Sequence, residues 1–421
     1  MKVKLVLLII LIAIIAGLFL LPEPEEQPTA SQNTFALGPV NVFNGTEVLP
    51  LSYVIVIDGV ITGIQPRPPG GEVIDGKNAW LLPGLIDAHV HVWGDALERQ
   101  LAHGVTTVID MFGHPSTLQK EKELRDQFQI SRSATMYGAG YLVTGPKGHG
   151  TQFGIQVPVM NGAEDAKRVV AERIDSGSDF IKAVYTSPTA VYEHAPSISL
   201  EELEAVIRAG HERDQLVVVH VSDHQSALDA VQAGADGLVH SFFDKVASDQ
   251  LLSEIKQRDT FVIPTLTFYE GMLRGTSTET LLLNNPEFEI SAQAKQSLSM
   301  KIPGQFPEHF FTNLISSTTR MHEAGIRLLV GTDAPNPNTA HGWSIVVEMS
   351  LFAEAGIPAQ QILTAATAAT ANAFGIADRG MIASGYRADF ILLERNPLED
   401  LTALQQPQAV YKNGFKVGRE R

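Results

Sequence analysis

The chain's 421 residues can bury a large core, with room left beyond the roughly 250 that a single (β/α)8 barrel takes. Its 31 Lys+Arg against 47 Asp+Glu give a formal net charge of −16, and no basic cluster is available to track phosphates, so no nucleic-acid partner is expected. It contains no cysteine, which excludes a disulfide framework and a thiol-borne lipid.

Lys2 and Lys4 precede an apolar run from Leu5 to Leu21. The run is short for a spanning helix of about 20 residues and long for a signal core of about 7–15. Residues 1–21 therefore read as an export signal or an uncleaved membrane anchor. By the positive-inside rule the lysines stay in the cytoplasm, which puts the rest in the periplasm or another extracytoplasmic space, attached to the inner membrane in the anchor case. Residues 22–34, PEPEEQPTASQNT, have the composition of a linker.

Short apolar runs split by turn residues fill 35–83, and Asp58-Gly59 between two β-branched runs signals a hairpin. Strand character returns in 384–421, with ADFILLERNPLEDL and an Asn413-Gly414 turn in AVYKNGFKV. The two segments together predict a small β-sandwich domain. Between them, at 84–383, eight apolar runs alternate with helical stretches: LIDAH, VTTVID, ATMYGAG, DFIKAVY, LVVVH, GLVH, FVIPT and RLLVGTD. Apolar residues recur three and four apart in EDAKRVVAERIDSG, LEELEAVIRAGHERD and HQSALDAVQAGA. This βα rhythm predicts an α/β fold, a (β/α)8 TIM barrel. The stretch 268–311 after the seventh run is too long for an ordinary connection and reads as a lid.

The first run ends in His89-Val90-His91, and strand alternation points both histidines to one side, where one metal can take both. Alone, such a pair is weak evidence. Lys182, His220, His240 and Asp333 also fall at or near strand C-terminal ends, the catalytic face of a barrel. Six ligand-type side chains from five strands thus converge, although a solvated lysine remains the plain reading of Lys182. His341, in the loop after the eighth run, is ambiguous and can line the pocket. His103, His114, His194, His211, His224, His309 and His322 are predicted in helices or loops away from strand ends and are given no role.

The motifs PGLIDAHVHV, GVTTVID, TGPKGHG, DFIKAVY and GTDA, with the tail ILTAATAATANAFGIADRGMIASGYRADFILL, resemble the amidohydrolase superfamily. They are similar to its branch related to imidazolonepropionases and metal-dependent Xaa-Pro and Xaa-Arg dipeptidases. The resemblance covers nearly everything after the leader. It implies two divalent metal ions, with zinc the first expectation: His89, His91 and Asp333 hold one, and His220 and His240 the second. Lys182 then bridges them as a carbamate, since an ammonium has no lone pair to offer. The apolar neighbours Phe180 and Ile181 favour the neutral amine that carbamate formation requires.

The resemblance further implies that Asp333 is the catalytic group, taking the proton of the attacking water and passing it to the departing amine. His149 matches a substrate-contacting histidine. In the dipeptidase relatives a tyrosine commonly grips the substrate carboxylate where this chain has Ser222, so Tyr185 or Tyr269 would have to supply the longer hydroxyl. The expected function is cleavage of a C–N amide bond in a small peptide-like or N-acyl amino acid substrate by a binuclear centre. Alternatives are a mononuclear cyclic amide hydrolase, a lactone or phosphoester hydrolase, and a catalytically silent binding protein on the same fold. The sequence is compatible with a homo-oligomer.

Overall fold

The computed structural model describes residues 33–129, 131–190, 196–274, 292–300 and 307–418. The leader at 1–21 and all but the end of the 22–34 linker lie outside the described residues. Among the described residues no helix is long and apolar enough to cross a membrane.

The chain begins with β1 (Phe35–Phe43), β2 (Val48–Ile57), β3 (Val60–Gln65), β4 (Val73–Asp75) and β5 (Trp80–Pro83). β2 and β3 form the hairpin expected around Asp58-Gly59, whose φ values of 50° and 78° are the left-handed pair that such a turn requires.

Three parallel strands follow, β6 (Leu85–Val90), β7 (Val105–Asp110) and β8 (Thr135–Gly138). Four more, β9 (Ile181–Val184), β10 (Val217–His220), β11 (Gly237–Val239) and β12 (Phe261–Ile263), form a second parallel sheet in the order β12-β11-β10-β9. Helices separate them: Leu200–His211 starts with a Ser199/Glu202 capping box, and His224–Ala233 starts under the Asp223 carboxylate. Strand alternation divides the core. Val217 and Val219 pack with Val206, Ile207 and Ala227 beneath the helices, whereas Val218 packs with Val239 and Phe261 on the other face.

Seven of the eight expected runs are ladder strands; the last is irregular. Residues 327–334 pair only through bridges from Leu328 to Val262 and from Ala334 to Val90. The Leu329 N–H donates to Val262 O at 2.9 Å on one side, and the Asp333 N–H donates to His89 O at 2.8 Å on the other. The segment therefore runs between β12 and β6. Two local features break its ladder: a Cβ on Gly331 would lie 2.5 Å from the Ile263 side chain, and Asp333 has φ 58°, outside the strand region. A similar bridge from Val143 to Ala183 links the continuation of β8 to β9.

β13 (Phe390–Leu393), β14 (Ala409–Lys412) and β15 (Phe415–Lys416) return to the first strands. β13 pairs antiparallel with β5, giving one sheet in the order β15-β14-β13-β5-β1-β2-β3, with β4 beside β1. Leu37, Val54, Val56, Leu81, Phe390 and Tyr411 form its core. The molecule is thus a TIM-barrel-like α/β unit with an added β domain assembled from both ends of the chain.

Only part of the 268–311 stretch is described. Its helix Ala292–Ser299 sits on the loop after residue 334: Ala294 and Leu298 pack with Ala340 and Trp343, and the Ser297 hydroxyl donates to Thr339 O at 2.7 Å.

Candidate active site

The C-terminal ends of the parallel strands surround a cavity of about 390 Å³. His91 follows β6, Lys182 lies within β9, His220 ends β10, His240 follows β11 and Asp333 sits in the irregular eighth segment; all five line it. Register explains part of the convergence, because Lys182 pairs with Val218, two residues before His220. Two of these residues hold unusual backbone. His240 has φ 72° and Asp333 φ 58°, a conformation that costs non-glycine residues about 1–3 kcal/mol and recurs at functional sites.

Asp333 Oδ1 lies 3.2 Å from both His89 Nε2 and His91 Nε2, and Oδ2 lies 3.9 Å from His240 Nδ1. Despite these approaches, Asp333 Oδ1 and both ring nitrogens of fully buried His89 are not aligned for any hydrogen bond. Buried polar atoms left unpaired are costly, and one divalent ion shared by His89, His91 and Asp333 would take one ring nitrogen from each imidazole together with a carboxylate oxygen. The donor chemistry fits as well, since neutral imidazoles and a carboxylate are ligands for zinc and its neighbours. Burial pushes His89 down to about 3, so it is neutral at physiological pH. Burial would raise the Asp333 carboxyl, but the imidazoles of His89, His91 and His240 hold it well below the usual carboxylate range.

The other histidines complete a ring. Centroid separations are 4.8 Å for His89 and His240, 4.5 Å for His240 and His220, and 5.1 Å for His220 and His149, the last pair stacked. His240 Nδ1 meets the Thr265 hydroxyl at 2.8 Å, leaving its Nε2 for an ion. Lys182 is 1% exposed, and burial pulls its amine down to about 8, which brings the neutral form within reach at neutral pH.

The remaining expected substrate contacts divide. His149, Ser222 and Tyr269 line the cavity. Tyr269 spends its hydroxyl on Ser241 O at 3.0 Å, whereas Ser222 Oγ is buried without a hydrogen-bond partner. Tyr185 and His341 are not brought to the cavity. The Tyr185 hydroxyl donates to Asp229 at 2.8 Å, and His341 is buried beside Gln100 at 3.4 Å.

Several contributors escaped the sequence reading. Asp87 and Asp110 are fully buried, and burial raises each to about 6. Asp110 Oδ1 accepts the Val92 N–H at 2.9 Å, which fixes the turn after His91. Trp93, Phe112, Phe243 and Phe268 follow strand ends by a few residues and line the cavity, so their position relative to the strands was the available signal.

The family model for the amidohydrolase family matches residues 80–417. The chain is a member of the amidohydrolase family. This amidohydrolase is 24% identical over 384 residues to an ochratoxinase of Aspergillus niger, across 78% of its own length and 73% of the relative's. Its fold is similar to that of a Xaa-Pro dipeptidase with bound methionine in the active site, at TM-score 0.72 and 22% identity over 91% of this chain and 99% of that one. It is also similar to the solved structure of the A. niger ochratoxinase, at TM-score 0.69 and 20% identity over 91% and 95% of the two chains.

Proposed function

We propose that this amidohydrolase uses two divalent ions to cleave a C–N amide bond in a peptide-like or N-acyl amino acid substrate. The observation that carries the reading is the convergence of His91, Lys182, His220, His240 and Asp333 on one cavity, with His89 against Asp333. The names of the ochratoxinase and dipeptidase relatives point to the same reaction class. The reading takes residues 84–383 as a closed eight-stranded barrel, for which the bridges on both sides of residues 327–334 are the support.

In this scheme His89, His91 and Asp333 would hold one ion and His220 and His240 the other, with Lys182, as a carbamate formed from its neutral amine and carbon dioxide, supplying further oxygen ligands. Bound divalent ions supply Lewis acidity for the scissile carbonyl and lower the pKa of water from about 15.7 to about 7. Asp333 takes a proton from the attacking water and gives it to the departing nitrogen. The stacked His149 and His220 rings and the aromatic walls exclude bulk water and orient the substrate.

The test is turnover by zinc-loaded protein in bicarbonate buffer against dipeptides, N-acyl amino acids, cyclic amides and lactones, with Asp333→Asn as control and ions counted per chain. Amide cleavage absent from the control, with two ions bound, is the expected result. One ion with cyclic amide opening would favour the mononuclear alternative, which the His89–His91–Asp333 trio alone can serve. The absence of both activity and bound metal would refute the proposal.

A further inference from the structure

We infer that the substrate is an uncharged amide with an aryl or similarly bulky apolar group on each side of the scissile bond. This rests on the amide-hydrolase reading above and narrows it to substrates whose carboxyl group is absent or blocked.

The shape of the cavity provides two apolar sides. The imidazoles run in sequence from His91 through His89, His240 and His220 to His149. Phe112 lies 6.4 Å from His91, Phe153 lies 5.8 Å from His149, and the two phenyl rings are 6.1 Å apart. They close the circle opposite His240. Beyond His240 stands a second wall, with Phe268 and Tyr269 each 6.4 Å from its ring and Phe243 5.7 Å from Tyr269. A carbonyl held among the imidazoles therefore extends one substituent toward each wall. The cavity, about 390 Å³, falls in the ordinary range for small-molecule sites. At its mouth Phe153 and Trp93 are 54% and 42% exposed, apolar surface that a bulky ligand would cover.

The charge of the lining favours a neutral ligand. Among the described lining residues Lys182 is the only lysine or arginine, and it is buried in the ligand set. A substrate carboxylate resting on either wall would lose water without gaining a lysine or arginine partner among the described residues, which is unfavourable. The cavity instead offers Ser222, 6% exposed with an unpartnered hydroxyl, for a neutral polar atom.

The experiment compares N-benzoylphenethylamine, N-acetylphenethylamine, N-benzoylethylamine and N-acetylethylamine with the charged N-benzoylphenylalanine, using the metal-loaded protein. Both kcat/KM and the binding of each compound to the Asp333→Asn variant are measured. Each ring should raise kcat/KM at least about tenfold, and the added carboxylate should lower it by a similar factor. Phe153→Ala and Phe268→Ala should each abolish the gain from one ring, and not the same one, whereas a merely structural role would depress every substrate equally. Equal turnover of all compounds, or preference for the carboxylate, overturns the inference and leaves the hydrolase reading standing. If none is cleaved but the diaryl amide still binds at least tenfold tighter than the dialkyl amide, the pocket assignment is supported and the hydrolase reading fails.

Discussion

The Asp87 carboxylate accepts two hydrogen bonds from Thr332, one from the backbone N–H at 3.0 Å and one from the hydroxyl at 2.7 Å. It also accepts the His89 N–H at 3.2 Å and the Gln100 side-chain amide at 3.3 Å. One buried carboxylate thus ties the strand bearing His89 and His91 to the segment bearing Asp333, although it touches no ligand atom itself. Thr332→Val should remove one donor and cost about 1–3 kcal/mol of stability. With all ligands intact, metal affinity should fall about 10–100-fold. Chelator competition measures this, and unchanged affinity would show that Asp87 does not position the site.

Lys182 offers a sharper division between one ion and two. If it joins two ions as a carbamate, Lys182→Ala should leave the His89–His91–Asp333 ion in place, lose the other and reduce kcat at least about a thousandfold. Short carboxylic acids such as formate or acetate can replace the missing oxygen ligands, so they should restore part of the activity and the second ion together. Elemental analysis with and without acetate reads the outcome. A variant that keeps two ions without any added acid would rule out the bridge.

Much of this architecture was legible because its signals are periodic. Alternation exposed seven strands, the Asp58-Gly59 turn revealed its hairpin, and strand-end placement singled out His89, His91, Lys182, His220, His240 and Asp333, which the fold brings together. What escaped detection depends on long-range geometry. The regular-strand expectation failed at Gly331 and Asp333, where close packing and a left-handed residue interrupt the ladder. Proximity in sequence does not bring Tyr185 to the cavity, since strand alternation turns it away from Lys182's face and its hydroxyl meets Asp229, a helix residue 44 positions later. Asp87 was invisible for the same reason, because its partner Thr332 lies 245 residues away.

A pH effect on stability should arise from Glu348. This fully buried carboxylate accepts the Leu266 N–H at 2.9 Å, the Thr267 N–H at 2.7 Å and the Thr267 hydroxyl at 2.8 Å, fixing the start of the helix that bears Phe268 and Tyr269. Burial outweighs these donors and raises it to about 8, against an ordinary value of 4.5. The folded chain therefore binds a proton that the unfolded chain has lost between those two values. Its contribution is fully present below pH 4.5 and declines as pH rises to about 8, by at most about 1.4 kcal/mol per pH unit. Glu348→Gln should flatten the profile in that window even if it lowers overall stability. Denaturant midpoints at several pH values provide the check, and identical slopes in the two proteins would contradict it.

Tyr185 and Ser222 hold their hydroxyls in opposite settings, one engaged inside the protein and one lining the cavity. The Tyr185 side chain is 1% exposed, and its hydroxyl is engaged by Asp229, which also accepts from Gln225 at 2.7 Å. Tyr185→Phe should therefore leave the half-buried Asp229 carboxylate with one donor fewer, reduce stability by about 0.5–1.5 kcal/mol and keep KM within about twofold. Ser222 presents the opposite case, a buried cavity hydroxyl without a partner in the protein. Ser222→Ala removes no internal hydrogen bond, so stability should hold within about 0.5 kcal/mol while KM rises about three- to tenfold through loss of one neutral substrate contact. Thermal unfolding and steady-state kinetics on the two variants decide the matter together. If Tyr185→Phe raised KM and Ser222→Ala did not, the hydroxyl contacting the substrate would be that of Tyr185, one of the two tyrosines expected to supply it.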